Sequence, residues 1–147
     1  MDWKCIAIEK LKGYQAKRQA IENIPLKIFE VESAMTSIRS AGAISAPLAG
    51  SKGNSREDMY IRNIDRLDEL KRQLEQAKMF VDIVDRALSV LSADDRLVLK
   101  RLYINHEQCA AERLCNDLGL IEARSVYKRR ESAIRQFTIA LYGCIES

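Results

Sequence analysis

The sequence predicts an all-α protein in two parts, a pair of long N-terminal helices and a C-terminal helix-turn-helix unit. Three observations carry that prediction. The six glycines and two prolines among 147 residues leave 54–118 free of both, so a long uninterrupted segment separates two sets of breaks. Apolar residues recur at alternating steps of three and four over long stretches. Hydrophobic residues make up 47% of the chain but aromatics only 6%, the balance of helices packed through aliphatic side chains.

The first element is residues 2–40, read as one kinked helix or two consecutive helices. Ile21, Ile24, Ile28, Val31, Met35 and Ile38 form its stripe, and Pro25 stands where a helix can begin after Asn23 or bend. Trp3 and Tyr14 are expected to cover apolar surface near the open end of the pair. Residues 40–55 hold Gly42, Pro47, Gly50 and Gly53 and form the expected loop. A second long helix is expected over about 57–91, on the stripe Leu67, Leu70, Leu74, Ala77, Val81, Val84, Leu88 and Leu91.

Residues 56–78 carry six basic and six acidic side chains, with Asp58/Arg62 and Asp68/Arg72 four apart in the order that supports a helix. A 35-residue helix is about 52 Å long, close to the span of 2–40 if its pieces are collinear. The match suggests an antiparallel hairpin. A stripe this long also suits a coiled coil between two copies, so a homodimer or higher homo-oligomer is expected. The expected domains are 1–91, for oligomerisation, and 92–147.

The C-terminal part starts at Ser92-Ala-Asp-Asp95, where the serine can cap a helix and the aspartates sit in its positive first turn. Leu97, Leu99, Leu102, Tyr103 and Ile104 give that helix an apolar side, with Arg96, Lys100 and Arg101 on other faces. A second helix is expected from about Glu107 to Leu118, ended by Gly119. After the turn Leu120-Ile121-Glu122, a third runs from about Ala123 to Leu141. Ala111, Leu114, Cys115 and Leu118 of the second would brace the third through Val126 and Ala133. This order of short helices is that of a helix-turn-helix.

Net charge is +3, too slight to name a partner by itself. Its distribution says more: Ala123–Arg135 holds five basic residues against one acidic. Arginine donates two hydrogen bonds to a guanine edge in the major groove, and lysine or arginine neutralises phosphates. Double-stranded DNA is therefore the expected partner.

The block Leu88–Ser147 resembles the ArpU/RinA-like phage transcriptional regulators. The residues that carry the resemblance are Leu118-Gly-Leu, Ser125-Val-Tyr-Lys-Arg-Arg130, Ala133-Ile134 and Phe137-Thr-Ile-Ala-Leu-Tyr-Gly143. The C-terminal domains of that family look like region 4 of bacterial primary sigma factors. The resemblance implies a sequence-specific regulator, an activator of phage late genes that contacts host RNA polymerase. It also implies Arg124, Ser125 and Lys128 as base-reading residues, Arg129 on phosphate and Tyr127 at the edge. One departure is that the aliphatic residue expected six positions after the turn glycine comes one later, at Val126, so the turn is read as one residue longer than the family's.

Other chemistry is weakly supported. His106 and Cys109 lie three apart and would share a helix face as a nucleophilic pair, but no orienting group accompanies them, so a loop histidine and a semi-buried cysteine are expected. Cys5, Cys109, Cys115 and Cys144 contain no C-x-x-C pair, and His106 is the single histidine, so neither a structural zinc nor disulfides are expected. Asp94/Asp95 and Asp82/Asp85 fit a helix start and a solvated face. No phosphate-binding glycine loop is present. The expected protein is thus no enzyme and carries no cofactor, metal or catalytic residue.

The longest uncharged run, residues 40–51, is shorter than the roughly 20 apolar residues of a membrane helix, and no secretory signal is read at the N-terminus. A cytoplasmic location and no membrane partner are expected. The competing functions are a small terminase-like DNA-packaging protein and a helical adaptor that does not bind DNA.

Overall fold

The computed structural model describes residues 2–44, 53–120 and 122–145. Among them are five α-helices, one π-helical turn and no β-strand. The helices are α1 (Trp3–Ile44), α2 (Gly53–Ser89), α3 (Ala93–Leu99), α4 (Ala110–Leu118) and α5 (Ala123–Tyr142), with the π-helical turn Lys100–Ile104 following α3 directly. No helix among the described residues is long and apolar enough to cross a membrane.

The first element is a single helix. Asp2 caps it, its Oδ1 accepting from the backbone N–H of Lys4 at 3.1 Å and of Cys5 at 3.4 Å. Pro25 lies inside α1, at an exposed position where the carbonyl deprived of its donor can be hydrated. Residues 40–44 and 53–55, expected in the loop, belong to α1 and α2. Residues 45–52 of that loop lie outside the described residues.

Contacts divide the chain into two compact units, Gln19–Lys78 and Met1–Arg18 with Met79–Ser147. Both long helices contribute to each unit. In Gln19–Lys78 the core is Ile24, Val31 and Leu70, with Ala20, Ile28, Met35, Leu67 and Leu74 packed around it. These are positions of the two predicted stripes. The surface ion pairs differ from expectation: Arg72 clasps Glu69 through two nitrogens, Nη2 to Oε2 at 2.6 Å and Nε to Oε2 at 3.1 Å. This three-residue spacing holds the fork against both carboxylate oxygens, and the hydrogen bonds hold the Glu69 carboxyl below its ordinary pKa. Asp68 is not its partner, and Asp58 and Arg62 form no ion pair among the described residues.

The other unit is built around a larger core. Ala7, Leu11 and Tyr14 of α1 meet Val84, Ala87 and Leu88 of α2, and the same cluster takes in Leu91, Leu99, Ile104, Ala133, Ile134 and Phe137. The ends of the long helices are therefore part of the core on which the C-terminal helices pack. Tyr14, expected simply to cover apolar surface, is 6% exposed and donates its hydroxyl to Asp85 Oδ1 at 2.6 Å. Asp85 is exposed, as a solvated face requires, and it also ties the two helices together, whereas Asp82 pairs with Arg86 at 3.0 Å. Trp3 lies against Tyr142, ring centroids 4.7 Å apart.

A second cluster in this unit joins Val98, Leu114 and Val126, with Leu97, Leu102, Ala111, Cys115, Leu118 and Leu120 around it. The π-helical turn feeds both clusters. Its i to i+5 step, seen in the Asn105 N–H donating to the Lys100 carbonyl at 2.7 Å, lets Leu99 and Ile104 bury in one cluster while Leu102 joins the other.

Candidate nucleic-acid interface

Three short helices position the basic face. Ser92 caps α3 as its sequence suggests, its Oγ accepting from the Asp95 N–H at 3.2 Å, with Asp94 and Asp95 in the first turn. The second short helix is shorter than expected, starting at Ala110 instead of Glu107. Its approach bends through His106 (φ 48°) and Cys109 (φ 55°), conformations a helix excludes. Those two residues are both exposed and do not share a helix face.

At its other end α4 stops at Gly119, with φ 68°, and the Leu120 N–H donates back to the Cys115 carbonyl at 2.8 Å. A left-handed residue there closes the last turn and sends the chain off sharply, which glycine does without the Cβ penalty. Four residues, 119–122, separate α4 from α5; Ile121 of the expected turn lies outside the described residues. Val126 on the first turn of α5 is fully buried against Val98 and Leu114. Ala133, expected to meet α4, belongs to the other cluster with Ile134 and Phe137. Two turns further along α5 the helix has left α4 and rests on the long-helix ends.

Burying Val126, Ala133, Ile134, Phe137 and Thr138 fixes what α5 turns outward. Arg124, Tyr127, Lys128, Glu131, Ser132 and Arg135 are exposed, while Ser125, Arg129 and Arg130 are half-buried. The five residues singled out in the sequence therefore fall into three environments. Arg124 and Lys128, four apart on one face, form no ion pair among the described residues. Tyr127 is 49% exposed and lies under the Arg130 guanidinium, 5.1 Å from ring centroid to Cζ, a cation–π contact. Arg129 is engaged inward: Nε meets Asp95 Oδ1 at 3.0 Å and Nη2 meets Asp94 Oδ2 at 3.4 Å.

Other basic residues are similarly spoken for. Arg101 pairs with Asp117 and, at 3.9 Å, with Glu107 Oε2, fastening the π-helical turn to α4. Arg130 also reaches Glu131 at 3.4 Å. Beside Arg124 and Lys128, Arg135 extends the outward stripe at the i+7 position from Lys128. Its spacing from Arg124 and Lys128 is a signal the sequence already held. The tie between Arg129 and the two aspartates had no such signal, because 34 or 35 residues separate them.

Among the described residues no three metal-ligating side chains come together. Cys5, Cys109 and Cys144 are exposed and Cys115 is half-buried, all as free thiols. Comparison with known protein families, curated proteins and solved structures found no match to the chain.

Proposed function

We propose that this protein is a sequence-specific DNA-binding transcriptional regulator of the ArpU/RinA-like kind, an activator of phage late genes working in the host cytoplasm and not an enzyme. In this reading α4, the Gly119 turn and α5 are a helix-turn-helix similar to sigma region 4, and the long helices form the hairpin that sets subunit spacing. The N-terminal half of α5 lies in the major groove.

The observation that carries the reading is the outward pair Arg124 and Lys128. Both sit at the start of a helix whose opposite face is locked by buried Val126, and neither is neutralised by a carboxylate. Cations held without a partner beside a glycine turn suit base edges and phosphates. Ser125 lies beside them, and Tyr127 supplies an exposed edge. Arg129, bound to two aspartates, acts in this reading as an anchor for α5 and reaches phosphate only by giving up that pairing.

A homodimer fits the remaining surface. On α2, Met79 and Ile83 are 63% and 45% exposed, and Val90, just past its end, is 71% exposed. They occupy a stripe separate from the buried one, at the spacing of a helix–helix seam. Contact with host RNA polymerase follows from the resemblance alone.

The test is selection of bound fragments from the source genome, followed by footprinting and a salt titration. The expected result is a protected site upstream of late genes whose affinity falls steeply with salt. Sites inside packaging genes with a ring-forming protein would favour the terminase-like function. Absence of any salt-sensitive binding would leave the adaptor.

A further inference from the structure

A cleft in the Met1–Arg18 and Met79–Ser147 unit, remote in sequence from the outward face of α5, gathers three cations that form no ion pair among the described residues. Its volume is about 420 Å³, within the roughly 300–1,000 Å³ typical of small-molecule sites. Tyr14, Leu88 and Ile104 make an apolar floor, each under a tenth exposed. Around it stand Arg18 of α1, Arg96 of α3 and Lys100 of the π-helical turn.

The charge there is unbalanced. Asp85 is the single carboxylate lining the cleft against three cations, and it already accepts the Tyr14 hydroxyl. Arg18 makes one hydrogen bond, from Nη1 to the Tyr14 hydroxyl oxygen at 3.3 Å. Arg96 and Lys100 form no ion pair among the described residues. The Nε of Arg96 is buried and has no hydrogen-bond acceptor. A buried donor without an acceptor is costly, and here it belongs to a side chain that lines a cleft open to solvent. Gln15 and Asn105, joined at 3.1 Å, close one side with further polar groups.

We propose that this cleft binds a small organic phosphate, a phosphate monoester of about mononucleotide size. Its phosphoryl oxygens would sit among Arg18, Arg96 and Lys100 and its organic part on the apolar floor. Two guanidinium forks and an ammonium match the oxygens of a dianionic phosphate, and a turn of the Arg96 side chain would give its Nε one of those oxygens as the missing acceptor. A backbone phosphate of nucleic acid offers related chemistry, so the experiment separates the two sources.

The full chain is titrated at constant ionic strength with adenosine monophosphate, with inorganic phosphate and with a DNA duplex in separate arms, while NMR follows the side-chain Nε–H of Arg96. The expected result is a saturable shift with adenosine monophosphate, weaker with inorganic phosphate. Arg96→Gln and Lys100→Gln, the second at an exposed position, are each followed through backbone amides lining the cleft. Each weakens binding about tenfold or more through loss of a charge-assisted contact. Arg86→Gln, outside the cleft, leaves it unchanged. No saturable shift with either phosphate, unchanged affinity in both cleft variants, or a shift with the duplex alone would overturn the proposal. None of these outcomes depends on whether α5 reads DNA.

Discussion

Arg129 on α5 donates through Nε to Asp95 on α3 at 3.0 Å, and its other end reaches Asp94 at 3.4 Å. The contact joins the first turn of one helix to the second turn of another across 34 residues. Asp95 has a 13% exposed side chain and Arg129 a 42% exposed one, so the pair is only partly shielded. Its worth is that of a good surface ion pair, about 0.5–1 kcal/mol. Arg129→Gln and Asp95→Asn should each lower unfolding free energy by that amount, and the double variant should lose less than the sum. Urea denaturation of the four proteins checks this; additive losses would mean that the two side chains are independent.

Arg124 and Lys128 contrast with Arg129 because neither forms an ion pair among the described residues. Arg124→Ala and Lys128→Ala should leave thermal stability within about 0.5 kcal/mol of the parent. DNA affinity should fall roughly tenfold for each, and the slope of log affinity against log salt should become shallower by about one for a residue that meets phosphate. Fluorescence anisotropy on the footprinted site measures both. Parent-like binding by both variants would remove α5 as the reading helix.

Tyr14 carries a pH signature. Burial raises its pKa above 10.0, the hydrogen bond to Asp85 raises it further, and Arg18 opposes the shift. A group whose folded pKa is raised stabilises the fold fully below its unfolded value, and that contribution is lost as pH climbs through the folded one. Stability should hold below about pH 9 and fall above pH 10, by up to about 1.4 kcal/mol per pH unit for each such proton. Tyr103 and Tyr142 are also raised by burial, so Tyr14→Phe should reduce the alkaline slope without abolishing it. At neutral pH the same variant should cost about 1–2 kcal/mol for the lost bond. Chemical denaturation from pH 7 to 11 gives both quantities.

Gly119 tests the turn. Its φ is 68°, and a Cβ added there would meet nothing within 4 Å, so the cost of a side chain is purely that of backbone conformation. Gly119→Ala should destabilise by about 1–2 kcal/mol, and Gly119→Asn by less, because asparagine visits the left-handed region more readily. Equal losses for the two in thermal denaturation would argue for a steric role instead.

How much of this was legible in the sequence follows from the range of each interaction. The stripe on α2 from Leu67 to Leu88, the Ser92 cap and the Gly119 stop are local patterns, and each appears where its spacing put it, although the helix ends at Ser89 and not at about 91. Register within α5 was also readable, since Val126 buried leaves Arg124 and Lys128 outward on the helical period. The start of α4 was missed because His106 and Cys109 adopt positive φ without a glycine to announce it. The Tyr14–Asp85 bond, the Arg129–Asp95 pair and the cleft around Arg96 depend on segments 34 to 82 residues apart, for which a periodic pattern carries no signal. Ala133 was assigned to the wrong neighbour for the same reason: the period showed that it is buried, but not against which helix.

The exposed stripe that runs along α2 and ends at Val90, just past it, supplies the last test. Met79, Ile83, Arg86 and Val90 follow steps of four, three and four, a seam distinct from the buried Ala77, Val84, Leu88 and Leu91. Beside it a groove of about 390 Å³ is lined by Ile83, Ala87, Val90 and Leu141. Antiparallel pairing of two copies across this seam sets Met79 of each against Val90 of the other and lays Ile83 on the aliphatic stem of Arg86. Val90 is 71% exposed in the single chain, so Val90→Asp should not disturb folding. It should raise the dimer dissociation constant about tenfold or more, as expected for a charge placed against the apolar Met79 of the other copy. Sedimentation equilibrium reads the dissociation constant and circular dichroism the helix content. A helical Val90→Asp protein that stays as dimeric as the parent would move the subunit contact elsewhere, with the Leu26 and Phe29 surface of α1, 64% and 68% exposed, the next to be changed.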